Sequence, residues 1–135
     1  IPWEKGLLGH SDADVALHAL MDAMLGALGE GDIGRHFPDS DEQYRGIAST
    51  ELLRRVTELA RNKGYRVGNC DVTIVAQAPK LAPYIEEMRA NVARVLGVDV
   101  SRVNIKATTT ERLGFEGEGL GISAQAVAVM RSEAK

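Results

Sequence analysis

The segment Ile122-Ser123-Ala124-Gln125-Ala126-Val127-Ala128-Val129-Met130 admits two structures, and the choice between them decides the fold. Its alanines favour a helix, whereas Ile122, Ala124, Ala126, Val127 and Val129 fit a strand buried on both faces. A glycine-rich stretch, Gly114 to Gly121, leads into it. Two further strand signals need a sheet partner: the small apolar run Val72 to Ala76, and Val103 to Thr109. The segment is therefore read as a strand. Between these strands lie helical patterns. One opens at Ser11, a residue suited to an N-cap with Asp14 at the third helical position. It carries Val15, Leu17, Leu20, Met21, Met24, Leu25 and Leu28 and stops at Gly29 and Gly31. A second runs from Ser49 to Lys63, with Gly64 just past its end. A third starts near Pro83, a residue tolerated in a first turn, and ends at Gly97. Asp32 to Gly46, polar and rich in acids, reads as a mobile loop. The expected fold is an α/β (α+β) sandwich, a mixed sheet with helices packed on one face.

Composition narrows the function. The 135 residues suit a single domain, residues 1–135. Hydrophobic residues make up 44%, but only one Trp, three Tyr and two Phe occur, so small aliphatic side chains do the packing. The net charge of −3, with acids and bases interspersed, offers no basic stripe for nucleic acid and no membrane-binding surface. The lone Cys70 cannot form an internal disulfide, and no leader or long apolar run occurs. A reduced, cytoplasmic protein is expected.

Two polar stretches have no core-building role: His10-Ser11-Asp12-Ala13-Asp14 and Lys106-Ala107-Thr108-Thr109-Thr110-Glu111. Imidazole suits zinc; carboxylates and hydroxyls suit hard cations and phosphate. Together they suggest a metal-assisted site for a phosphorylated small molecule. Asp14, His18 and Asp22, spaced four apart, share one helix face. They read equally as a solvated stripe or as a metal site in which His18 ligates and Asp22 orients the imidazole. His10 is either a surface histidine or an anion contact near a helix start. Asp32-Ile33-Gly34 reads as a turn. Lys80, at the carboxyl end of a strand, is either a plain surface lysine or a ligand contact, its place being where ligands bind in open α/β sheets.

The order of these motifs is more specific than any one of them. Lys5 to Asp12, Asp14 to Leu20, Gly31 to Gly34, Phe37 to Asp41, Ala76 to Lys80 and Lys106 to Glu111 follow one another collinearly. The chain resembles, over nearly its whole length, the 2-C-methyl-D-erythritol 2,4-cyclodiphosphate synthase family of the non-mevalonate isoprenoid pathway. The resemblance implies conversion of 4-diphosphocytidyl-2-C-methyl-D-erythritol 2-phosphate to the cyclic diphosphate with release of CMP. It also implies a homotrimer with active sites between subunits. By the same resemblance, His18 is a zinc ligand, and Glu111 holds magnesium or manganese. His10 and Thr109 stabilise the transition state, and Ser11 joins His10 on the substrate. Asp32, Ile33 and Gly34 contact the ribose and methylerythritol side. Phe37, Pro38, Asp39, Ser40 and Asp41 lie in the loop over the sugar phosphate. Ala76, Gln77, Ala78, Pro79, Lys80, Leu81 and Ala82 line the cytidine pocket. Thr108, Thr109, Thr110 and Glu111 face the diphosphate, and Phe115 completes the substrate contacts.

Two features depart from the family pattern. The family's N-terminal strand with an Asp-x-His pair, which supplies two zinc ligands, is absent from these residues. His18 alone is expected to hold zinc weakly. Glu118 stands where members commonly have an arginine on the trimer axis, which removes the expectation of an axial diphosphate ligand. Two other readings use the same residues: a non-catalytic relative that binds cytidine nucleotide, or a trimer module of a longer polypeptide.

Overall fold

The computed structural model describes residues 3–38, 48–75, 82–108 and 123–133. The site expectations for Asp39 to Asp41, Ala76 to Leu81 and Thr109 to Phe115 lie outside those residues. Among those described, four helices and three strands follow in the order α1 (Trp3–Ala27), α2 (Ile33–His36), α3 (Ser49–Asn62), β1 (Tyr65–Val75), α4 (Ile85–Leu96), β2 (Val103–Thr108) and β3 (Ser123–Ser132). One-turn 3₁₀ segments, Ala82–Tyr84 and Val100–Arg102, precede α4 and β2.

The sheet order is β2-β1-β3, with β2 parallel and β3 antiparallel to the central β1. The ambiguous C-terminal segment is thus a strand from Ser123 onward, and the sheet is mixed. One face carries Val67, Cys70, Val72 and Ile74 of β1, with Val103 and Ile105 of β2. These pack on Leu20, Met21, Met24 and Leu25 of α1, Leu53 and Val56 of α3, and Val92 and Leu96 of α4. The helices therefore cover one face, as the sequence predicts.

The other face presents Asp71, Asn104 and Lys106 and, among the described residues, carries no helix. Asp71 there accepts from Asn104 Nδ2 at 2.9 Å and Lys106 Nζ at 2.5 Å. Those two donors hold its carboxyl below the usual range. Beside it on β3, Val127 is 67% exposed and Val129 51%. The expectation of a strand buried on both faces does not hold within one chain.

A bulge reconciles β1 with this two-faced sheet. Val67 and Cys70 both point into the core although they are three residues apart, which breaks simple alternation. The register shifts between Val67 and Asn69, so one extra residue is absorbed there. Gly68 is that residue. A Cβ on it would lie 2.7 Å from the Arg131 side chain, which crosses the strand at this point.

Three local expectations need correction. Ser11 does not cap α1, which starts at Trp3 and runs through it. No residue from Trp3 onward bars a helix: Gly6 and Gly9 cost at most about 1 kcal/mol each, and Pro2 stands before the helix. The strand read at Val72 begins seven residues earlier, at Tyr65. The stretch after Asp32 is not all loop, because Asp32 caps α2 with its carboxylate on the Arg35 N–H. Helix ends fared better. Gly64 and Gly97 follow α3 and α4 at φ +83° and +71°, conformations that glycine adopts without strain.

Cys70 lies mid-sheet, 4% exposed, between Val103 and Ala128. Burial, and then the neighbouring Asp71 charge, push its thiol up to about 11. The thiol should therefore resist alkylation in the native protein at neutral pH and react at once in denaturant. Because the folded value exceeds the unfolded one, its contribution to stability is lost between about pH 9 and 11. Rapid native labelling at pH 7 would contradict this packing.

Candidate active site

The predicted residues fall in two groups, on different elements. The first is built on α1. His18 is exposed, and its Nε2 lies 3.4 Å from Ser49 Oγ at the start of α3. One turn further along α1, Asp22 Oδ1 accepts the Ile33 N–H at 2.9 Å. Asp22 thus ties down the Asp32-Ile33-Gly34 turn instead of orienting the His18 ring. A second tie joins His36 Nε2 to the Glu30 carbonyl at 2.6 Å. Between the two anchors Asp32 Oδ1 caps α2 at 2.9 Å. Gly31, at φ +83°, turns the chain back toward α1, and a Cβ there would meet the Arg35 side chain at 2.9 Å. The polar face of α1 and the predicted ribose-side turn therefore form one continuous surface. Phe37 follows, packed against the core with Ile33, and its N–H donates to the Ile33 carbonyl at 2.7 Å. Pro38 is half-buried beside it. Asp14 is exposed on the same helix.

The second group is built on the sheet edge. Parallel pairing matches Val75 with Thr108, the last residues of β1 and β2. The described parts of both strands therefore end side by side. The expected cytidine and diphosphate segments follow these ends in the sequence, and Ala76 to Leu81 and Thr109 to Glu111 lie outside the described residues. Thr108 itself is exposed at that edge. His10 and Ser11 lie on the backbone of α1.

The imidazole of His18 has the chemistry of a zinc donor, and its Nδ1 has no protein partner among the described residues. It fits as one ligand. Among the described residues no three His, Cys, Asp or Glu side chains gather as a metal site. Glu111 lies outside them. No helix among them is long and apolar enough to cross a membrane.

Sequence reasoning missed Ser49, read only as a helix start. It is 8% exposed, one of two buried polar residues among those described. A signal for it exists in hindsight: serine stands just after an alanine that caps nothing.

Comparison with known proteins gives a consistent answer. The YgbB family profile matches residues 1–131. A 2-C-methyl-D-erythritol 2,4-cyclodiphosphate synthase of Syntrophotalea carbinolica is 64% identical over 134 residues, covering 99% of this chain and 82% of that protein. One from Geobacillus kaustophilus is 65% identical over 131 residues, 97% and 83% of the two chains. Among solved structures, the bifunctional IspDF of Campylobacter jejuni superposes with a TM-score of 0.84 at 40% identity over 87% of this chain, which spans 32% of that larger protein. IspF of Plasmodium falciparum, in a CDP complex, superposes with a TM-score of 0.78 at 32% identity over 89% of this chain and 72% of that one. With a profile match over 131 of 135 residues and relatives identical at about two positions in three, the chain belongs to the YgbB family, that of the 2-C-methyl-D-erythritol 2,4-cyclodiphosphate synthases.

Proposed function

We propose that this enzyme forms 2-C-methyl-D-erythritol 2,4-cyclodiphosphate by attack of the substrate's 2-phosphate on the β-phosphorus of its cytidine diphosphate arm, at sites shared between copies in a homotrimer. Cyclodiphosphate formation in isoprenoid biosynthesis, a lyase reaction, comes with membership of the family. The observation that carries the reading is identity at about two positions in three, along nearly the whole chain, with synthases of that name.

The new bond joins a 2-phosphate oxygen to the β-phosphorus. The bond that breaks is the one to the bridging oxygen, and CMP leaves with that oxygen. No covalent enzyme intermediate is needed, so the protein's work is to position the reactants and stabilise charge. The Asp32 to Gly34 turn, fixed to α1 through Asp22, holds the ribose and methylerythritol end. Phe37 to Asp41 cover the sugar phosphate. Ala76 to Ala82, with Lys80, receive the cytidine diphosphate arm. Thr108 to Glu111 face the diphosphate, where His10 and Thr109 donate to the oxygens that gain charge. His18 is one donor to zinc, and Glu111 is the ligand of magnesium or manganese. When bound, those cations neutralise phosphate oxygens. The CDP complex of the Plasmodium relative favours a cytidine nucleotide as a ligand of this chain. The cytoplasm is the compartment that fits a chain with one buried free thiol.

Calorimetry with CDP tests the pocket. The protein should bind CDP, and Lys80→Ala should weaken it about ten- to a hundredfold, the loss of one charge-assisted contact worth roughly 1.5–3 kcal/mol. Unchanged affinity would move the nucleotide elsewhere. Absence of any CDP binding would overturn the functional reading.

A further inference from the structure

Ser49 presents an anomaly of local structure. Serine is among the preferred residues for a helix N-cap, where its oxygen satisfies a free backbone N–H. In α3 the cap position is held by Ala48, which makes no side-chain bond, and Ser49 is the first helical residue. The residue is 8% exposed, so its hydroxyl needs a partner. That partner is His18 Nε2, at 3.4 Å and 31 residues away in the chain. The other buried hydroxyl, Thr57, is spent within its own helix, on the Leu53 carbonyl at 2.8 Å. Only Ser49 is turned outward to a candidate site residue.

We propose that Ser49 is a positioning residue for His18: its Oγ accepts the Nε2–H, which fixes the neutral ring in that tautomer and leaves the Nδ1 lone pair as the ligand atom. A neutral imidazole has one N–H and one lone pair, and the bond made by one nitrogen sets the role of the other. The reverse arrangement, Ser49 donating to Nε2, would put the proton on Nδ1 and leave no lone pair facing outward. Metal-binding histidines generally donate their second N–H to a fixed acceptor, and loss of that acceptor weakens metal binding. The role of Nδ1 as ligand rests on His18 being a metal donor, as proposed above; the tautomer does not.

Long-range proton–nitrogen correlation spectra of the metal-free protein at mildly alkaline pH read the tautomer directly. Wild type should show His18 as the Nε2–H form. Ser49→Ala, which keeps a good helix former at the first position of α3, should shift the Nδ1 and Nε2 resonances toward a mixture of tautomers. Ser49→Thr, which retains the hydroxyl, should restore the wild-type pattern. Titration with zinc alone gives the second readout: about ten- to a hundredfold weaker binding in Ser49→Ala, and recovery in Ser49→Thr. A wild-type Nδ1–H tautomer would overturn the proposal, as would a pattern indifferent to Ser49→Ala. Should Ser49→Ala misfold, Ser49→Cys, close in size but a poor acceptor, takes its place with the same expected shifts. Zinc affinity unaffected by His18→Ala would instead refute the donor role of His18, whatever the tautomer.

Discussion

In a chain that also carries the family's upstream Asp-x-His segment, His18→Ala should lower CMP release at least about a thousandfold while leaving CDP affinity within about threefold. A metal that polarises phosphoryl oxygen supplies several kcal/mol to the transition state, and roughly 4 kcal/mol corresponds to a thousandfold in rate. The substitution itself is mild for the fold. His18 is exposed, and the one partner it loses among the described residues is Ser49 Oγ. A solvated replacement for that bond keeps the stability cost to about 1 kcal/mol. The cytidine pocket, proposed at the ends of β1 and β2, is built on other elements. Rate and nucleotide affinity should therefore separate cleanly in a paired turnover and calorimetry measurement. Equal losses in both would mean that His18 serves the nucleotide or the fold, and comparable turnover would remove it from the reaction.

Val127→Asp should convert the proposed trimer into monomers and take turnover with it. Within one chain this valine is 67% exposed, so a carboxylate there costs the monomer little. Around a threefold axis the same change is repeated three times and buries like charges against one another. Each buried charge without a partner costs several kcal/mol. The nearby Asp71, already paired with Lys106 and Asn104, offers no relief. Light scattering should show the wild type at three times the chain mass and the variant at one, with unchanged thermal unfolding of the monomer's sheet. A wild-type protein of monomer mass at micromolar concentration would sink the assembly, and a trimeric variant would place the interface on another face.

What the sequence disclosed and what it hid divide along physical lines. The ends of α3 and α4 were legible because Gly64 and Gly97 answer to local backbone requirements. β2 was legible because its β-branched run is short and bounded. The first half of β1 was not: Tyr65 to Asp71 contains Gly68, Asn69 and two charged residues, a poor strand by propensity. It is extended because β3 pairs with it, and a bulge at Gly68 scrambles the alternation that would have betrayed it. α2 is one turn long, too short for any periodicity. In the candidate site, His18 was singled out by residue type and spacing. Its partner did not, since Ser49 is distant in sequence and meets it only through the packing of α3 on α1. Asp22 illustrates the complementary blindness. Its spacing pointed to the imidazole, but its carboxylate bonds a backbone N–H, and every residue but proline has one of those.

The central position of β1 also has a consequence for how the chain acquires its structure. β1 is made midway along these residues, and its antiparallel partner is the last element among those described: Val75 pairs with Ser123 and Tyr65 with Ser132. At ribosomal speeds, tens of residues of synthesis separate partner from partner, roughly 3–13 s of waiting for the farthest pair. During that interval α1, α3 and α4 have only part of a sheet to pack on, and one edge of β1 stands open as a template for any extended neighbour. Pairing over such distances is slow to nucleate even in the finished chain, because loop closure must precede the contacts that reward it. The nascent protein is thus most vulnerable to intermolecular pairing just before its final strand emerges, and a holding chaperone would find its target there.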